Sequence, residues 1–216
     1  ACPADGLAHL ISVRSIKGNT MRPQLQTPDP VTIKAAFLDR DGVINENRSD
    51  HVRSWAQFRF LPGAPQAVAR LSEAGVQVFV ITNQAIINRG MVSRSTVDRI
   101  NRRMVAELRE VGGRVDAVAY CPHRPDEGCA CRKPRPGLIL KLAQRYGVDL
   151  RLSVMIGDAL SDVEAARAAG CSAILVLTGR GRAELELARD RRAEFTVASD
   201  LGAAIDGLLT RTTARV

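Results

Sequence analysis

The sequence predicts an α/β protein, a three-layer sandwich whose central parallel sheet is covered by helices on both faces. Three observations predict it. From Val31 onward, short apolar runs of strand length alternate with longer amphipathic runs, and repeated strand–helix units make neighbouring strands parallel. The run "VQVFVITNQ" is β-branched and nearly all apolar, as a strand buried on both faces has to be. Asp39, Thr82 and Asp158 each stand at the end of an expected strand, and open α/β sheets bind ligands beyond those ends.

The elements follow in order. Residues 1 to 30 carry Pro3, Gly6, Gly18, Pro23, Pro28 and Pro30 and no sustained period. They lack the apolar core and cleavage site of a secretory signal, and are expected to be a disordered leader or upstream extension. A single domain is expected over 31–216. "TIKAAFLD" is its first strand, ending at Asp39. "GAPQAVARLSEAGV" is a helix with Ala67, Val68, Leu71 and Ala74 on one side, stopped by Gly75. "VQVFVITNQ" is the second strand. "SRSTVDRINRRMVAELREVGG" is a long helix capped by Ser93 or Ser95, with Val97, Ile100, Met104, Val105 and Leu108 at helical spacing. "VDAVAYC" is a third strand, and "PGLILKLAQRYGV" a helix entered through Pro136. "LSVMIGDA", "CSAILVLTG" and "AEFTVAS" complete the strands; "SDVEAARAAG" and "SDLGAAIDGLL" complete the helices.

Composition narrows the class of function. The 216 residues are 45% hydrophobic and 25% charged, an ordinary globular balance for one domain. No apolar run approaches the roughly 18 residues a membrane span needs. The net charge is +8 and suits an anionic ligand. The arginines are dispersed and aromatics are only 4%, which argues against a nucleic-acid partner. A monomer in the cytoplasm, acting on a small-molecule substrate, is the expectation.

"AAFLDRDGVIN" brings Asp39 and Asp41 out of an apolar strand one residue apart. Their repulsion has a cost unless a cation or a reaction uses it. With Asp158 of "IGDALSD" they form a hard-oxygen set suited to Mg²⁺ and a phosphorylated substrate. A carboxylate at a strand end can attack phosphorus, and one two positions on can move the proton. Thr82 could donate to a phosphoryl oxygen, and Lys133 could neutralise its developing charge.

A second constellation is "YCPHRPDEGCACRKPRPG". Cys121, His123, Cys129 and Cys131 form Cys-x-His followed by Cys-x-Cys, and three thiolates with one imidazole close a tetrahedral Zn²⁺ site of structural type. A disulfide pair or unrelated thiols compete with this reading; a disulfide needs an oxidising compartment. Zinc would fix the loop 121–131 and so place Arg132 and Lys133. Cys2 and Cys171 fall outside the cluster.

"FLDRDG", "VITN", the lysine of "CRKP" and "IGDALSD", in that order, resemble the haloacid dehalogenase superfamily of phosphatases across Val31 to about Leu209. The resemblance implies a haloacid dehalogenase-like Rossmannoid fold. It also implies Asp39 as nucleophile, Asp41 as acid/base, and Thr82 and Lys133 on the phosphoryl group. Asp158 would bind magnesium with Asp39 and the Asp41 carbonyl; Asp162 is a lesser candidate. "DGVIN", "TNQ…RG" and the zinc loop narrow the likeness to the D-glycero-D-manno-heptose 1,7-bisphosphate 7-phosphatases, with histidinol-phosphate phosphatases and broader sugar or nucleotide monophosphatases as neighbours. A non-catalytic phosphate- or nucleic-acid-binding protein is the reading from another class.

The heptose family removes the 7-phosphate through an aspartyl-phosphate and leaves heptose 1-phosphate for nucleotide-heptose and surface-glycan synthesis. It has no large cap domain. By the same resemblance Asn47, Arg48, Ser49 and Asp50, then Thr82, Asn83, Gln84 and Ala85, then Arg132 and Lys133 would contact substrate. The chain departs from the family pattern in three places. Ala85 and Ile86 stand where a small polar and flexible pair is usual, and Ala159 stands where a cation is usual. "ENRSDHVRSW" lacks a frequent glycine-tyrosine, and there Arg48 and His51 are either substrate contacts or surface residues.

Overall fold

The computed structural model describes residues 9–12, 33–188 and 195–213. Its strands are β1 (His9–Ser12), β2 (Ala35–Leu38), β3 (Gln77–Asn83), β4 (Ala117–Cys121), β5 (Ser153–Gly157), β6 (Ser172–Val176) and β7 (Thr196–Ala198). The helices are α1 (Ala64–Glu73), α2 (Arg94–Glu110), α3 (Gly137–Tyr146), α4 (Leu160–Ala169), α5 (Gly181–Leu187) and α6 (Leu201–Thr213). The strands form one sheet in the order β1-β4-β3-β2-β5-β6-β7. From β4 to β7 every neighbouring pair is parallel, and β1 is antiparallel to β4.

The register explains the two cores. Ala36 and Leu38 oppose Val78 and Val80 on one side and Val154 and Ile156 on the other. These side chains share a face because strand side chains alternate, and that face packs on Val68 and Leu71 of α1, Met104 and Leu108 of α2, and Ile205 of α6. Ala35, Phe37, Phe79, Ile81 and Met155 take the other face, under Leu138 and Leu142 of α3 and Val163 and Ala166 of α4. Both faces of the central strands are thus apolar, as their uninterrupted hydrophobic runs require. Ser93 caps α2 by accepting the Thr96 amide at 3.2 Å.

Two elements differ from the sequence expectation. Residues 9–12 add an edge strand to β4; a four-residue run among prolines and glycines carries no readable period. The rest of the expected leader lies outside the described residues. Helix α5 was not expected because "GRAELEL" is short and lacks a consistent apolar side, Leu187 being 77% exposed. Between β2 and α1 the described chain holds a 3₁₀ turn at Trp55–Gln57 and no inserted domain.

Candidate active site

The ends of β2, β3 and β5 meet over a buried charge cluster. Asp39 follows β2 directly, and its Oδ1 accepts the Arg40 amide at 2.7 Å and lies 2.9 Å from Lys133 Nζ. Lys133 Nζ also lies 2.6 Å from Asp162 Oδ1 and donates to the Ile81 carbonyl at 3.1 Å. Asp39, Asp158 and Asp162 present carboxylate oxygens within 4.8 Å of one another, all three buried. Burial would lower the Lys133 ammonium, but the Asp162 and Asp39 charges outweigh it and hold it above the ordinary lysine value. Burial pushes the Asp39 carboxyl up to about 7, with Asp162 and Asp158 adding and Lys133 opposing. Burial likewise pushes Asp158 up to about 6.

Three carboxylates face one buried ammonium, so the cluster calls for more positive charge. Asp158 Oδ1 is buried without a hydrogen-bond partner. An orphaned carboxylate oxygen beside two other carboxylates is the donor set a hard divalent cation takes. The cluster fits Mg²⁺ on that ground. Gly42 lets the chain pass this close: its φ is +92°, and a Cβ there would come within 2.1 Å of Asp158 Oδ2.

Asp41 is held differently. Its Oδ2 accepts from Arg40 at 2.9 Å and Gln84 Nε2 at 2.8 Å, and its Oδ1 from Asn45 Nδ2 at 2.9 Å. Burial would raise this carboxyl, but the Arg40 charge and the bonds from Asn45, Arg40 and Gln84 together hold it below the ordinary carboxylate value. Arg40 is itself buried and bonds Asn101 of α2 at 3.0 Å. Gln84 Nε2 also donates to Thr82 Oγ1 at 2.9 Å, which leaves the threonine proton for another acceptor. The two aspartates of "DRDG" therefore have opposed tendencies: burial disfavours the charge on Asp39, and hydrogen bonds favour it on Asp41.

Lys133 owes its position to two neighbours. Asn83 Nδ2 donates to the Lys133 carbonyl and the Lys133 amide donates to Asn83 Oδ1, each at 3.1 Å. Two residues earlier ends the Cys/His cluster. His123 Nδ1 lies 3.4 Å from Cys121 Sγ and 3.3 Å from Cys131 Sγ, and the sulfurs are 3.3 to 3.6 Å apart. A zinc tetrahedron with ordinary Zn–S and Zn–N bonds has edges of about 3.5 to 3.8 Å, so the four ligands fit that ion. A disulfide at about 2.05 Å is a different geometry; these thiols are free.

Above the cluster opens a cavity of about 620 Å³. Asp39, Asp41, Asn47, Arg48, Ser49, Thr82, Asn83, Gln84, Ala85, Arg132 and Lys133 line it, together with His51. Asp158 lies beneath it, fully buried. Asp50 is outside the lining: its carboxylate is occupied by Arg48 at 2.9 and 3.0 Å. Asp162, the lesser metal candidate from sequence, stands with Asp39 and Asp158 in the carboxylate group, and it also anchors Lys133 and accepts the Ala159 amide at 3.1 Å. Ile86 packs with Val97 and Tyr120, so an apolar contact stabilises the loop where a polar, flexible pair was expected. Sequence reasoning missed Arg89, Ser161, Arg180 and Glu184 as lining residues. Arg180 follows a Thr-Gly turn after β6, and only its unexpected helix neighbour could have drawn attention to it.

The HAD-hydrolase-like family model matches residues 130–204. The D-glycero-beta-D-manno-heptose-1,7-bisphosphate 7-phosphatase of Bordetella bronchiseptica is 44% identical over 178 residues, 82% of this chain and 98% of that protein. The chain belongs to the heptose-bisphosphate phosphatase family of HAD-like hydrolases. A crystal structure of the D,D-heptose 1,7-bisphosphate phosphatase from B. bronchiseptica, complexed with magnesium and phosphate, matches with a TM-score of 0.79 at 43% identity, covering 82% of this chain and 98% of that one. The D-glycero-alpha-D-manno-heptose-1,7-bisphosphate 7-phosphatase of Mycobacterium bovis is 38% identical over 169 residues, 75% of this chain and 89% of that protein. This family member thus has relatives named for both anomers. No described helix is long and apolar enough to cross a membrane.

Proposed function

We propose that this protein is a magnesium-dependent phosphatase that removes the 7-phosphate of D-glycero-D-manno-heptose 1,7-bisphosphate. The observation that carries the reading is Asp39, with Lys133 at 2.9 Å, on the floor of a polar cavity roomy enough for a sugar bisphosphate. The family relation supplies the sugar.

Asp39 is the nucleophile. Its Oδ1 is engaged by Lys133 and the Arg40 amide, so Oδ2 is the oxygen engaged by neither. Attack on phosphorus forms the aspartyl-phosphate as the sugar oxygen leaves. Asp41, once it has taken up a proton against the pull of its hydrogen-bond donors, gives it to that oxygen, and as the restored carboxylate takes one from the water that opens the intermediate. Its cradle of Gln84, Asn45 and Arg40 fixes the carboxyl for both transfers. Thr82 donates its hydroxyl to a phosphoryl oxygen, and Lys133 offsets the charge gathered there. Asp39 and Asp158, with the Asp41 carbonyl, would hold Mg²⁺, which offsets the repulsion between carboxylate and phosphate. Cys121, His123, Cys129 and Cys131 would hold a structural Zn²⁺ that orders the loop carrying Arg132 and Lys133. Asn47, Arg48, Ser49, Asn83, Gln84, Ala85 and Arg132 bound the space for the sugar. We place the reaction in a monomer in the cytoplasm.

The test is phosphate release with Mg²⁺ from heptose 1,7-bisphosphate and from histidinol phosphate. The bisphosphate is expected to give the larger kcat/KM. A clear preference for histidinol phosphate, or no release from any sugar phosphate, overturns the reading.

A further inference from the structure

We propose that Arg180 is a second phosphate-binding cation of this site, meeting the transferred phosphoryl group from the flank opposite Lys133. The proposal rests on Asp39 being the phosphoryl acceptor, whichever sugar carries the phosphate.

Topology gives the first argument. Asp39 leaves β2, with β3 and β4 on one side and β5 and β6 on the other. Lys133 comes from the loop after β4, and Arg180 from the loop after β6. Both line the cavity with Asp39. Ser161, Arg180 and Glu184 are the lining residues contributed after β5 and β6, and Arg180 is the cation among them. Without it, no cation among the described residues would line the cavity on the side of Asp39 where β5 and β6 end.

The loop carrying Arg180 is tied to the site at three consecutive residues. Thr178 Oγ1 donates to the Gly42 carbonyl at 2.6 Å. Gly179 has φ +56°, and a Cβ there would lie 2.2 Å from Asp158 Oδ2 and 2.7 Å from Gly42 Cα, so only glycine lets the strands' loops touch. The Arg180 amide donates to Asp158 Oδ2 at 2.9 Å. One turn later, Glu184 Oε2 accepts the Leu160 amide at 3.0 Å and fixes α5 against the start of α4. The backbone of Arg180 is therefore set before any ligand arrives.

Its side chain is not consumed by that framework. The guanidinium lies 3.6 Å from Asp158 Oδ1, beyond hydrogen-bond distance, and the Arg180 side chain is 54% exposed where that of Lys133 is 3% exposed. A planar fork of donors whose ionic partner among the described residues is the loosely held Asp158 suits a phosphoryl oxygen pair.

The experiment is calorimetric titration of the magnesium-loaded protein with inorganic phosphate, alongside a magnesium titration. Arg180→Met is expected to weaken phosphate binding about tenfold, Arg180→Lys to recover part of it, and Arg182→Ala, an exposed change on the adjoining helix α5, to alter nothing. The magnesium midpoint should stay within about twofold of the parent. Unchanged phosphate affinity in Arg180→Met overturns the proposal. So does a displaced magnesium midpoint with unchanged phosphate affinity, which would make Arg180 a support for Asp158 alone. If circular dichroism shows Arg180→Met misfolded, Arg180→Gln is read by the same criteria. Phosphate is the product from any monoester, so failure of the heptose assignment leaves this result interpretable.

Discussion

Lys133 Nζ sits between Asp39 and Asp162 at 2.9 and 2.6 Å with almost no solvent around it. Removing one member of such a buried set leaves the others uncompensated, at about 3–5 kcal/mol. Lys133→Met is therefore expected to lower the melting temperature sharply and to reduce kcat by about a thousandfold. Adding Asp162→Asn should restore much of the stability and none of the activity, a non-additivity readable in a double-mutant cycle. Asp39→Asn should abolish phosphate release while the fold persists, by circular dichroism. A pH effect follows from the raised carboxyls. Asp39 moves from 3.8 to about 7 and Asp158 from 3.8 to about 6. In that window the metal-free folded protein binds more protons than the unfolded chain, so stability falls as pH rises from about 4 to about 7 and then levels. Melting curves with and without Mg²⁺ should diverge across that range, with the larger magnesium effect at the alkaline end. A magnesium effect independent of pH would contradict this. At this scale the meeting of Asp39, Asp41, Thr82 and Lys133 and the gathering of Cys121, His123, Cys129 and Cys131 were legible because each stands in a short motif. The clamp by Asn83 and the anchoring by Asp162 were not, since both depend on which backbone atoms meet across the fold.

Between Cys121 and Lys133 the chain makes a loop whose ordering and chemistry are linked. The four ligand atoms cluster at one end, and Asn83 grips the Lys133 backbone at the other. Stripping zinc with a chelator is expected to lower both melting temperature and kcat, and to leave the magnesium midpoint unchanged. Elemental analysis of reduced protein should find one zinc per chain. Asn83→Ala should lower kcat about tenfold with the zinc retained, because it frees the lysine from one side only. Strong periods made most elements legible, as with Val97, Ile100, Met104 and Leu108 on α2, all buried. Helix α5 was not, for its position is set by Glu184 reaching the Leu160 amide, a contact that leaves no apolar trace.

The molecule divides its apolar side chains between two faces of one sheet. Phe37 and Phe79 stack at 5.2 Å between centroids beneath α3 and α4. Phe37→Ala is expected to cost about 3–5 kcal/mol and to lower the melting temperature by about 10 °C, while activity at low temperature survives because Asp39 lies beyond the strand's end. The parallel order was legible from the strand–helix alternation. The pairing of His9–Ser12 to β4 was not, because an edge strand is chosen by free backbone groups more than by pattern.

The central placement of β2 has a temporal consequence. The strand that delivers Asp39 is made well before β3 to β6, and the residues that line its cavity extend to position 184. A ribosome-bound chain halted before β6 would carry Asp39, Lys133 and Asp158 but lack Arg180 and Glu184 from the cavity wall. The last wall of the cavity is thus added only after β6 has left the ribosome.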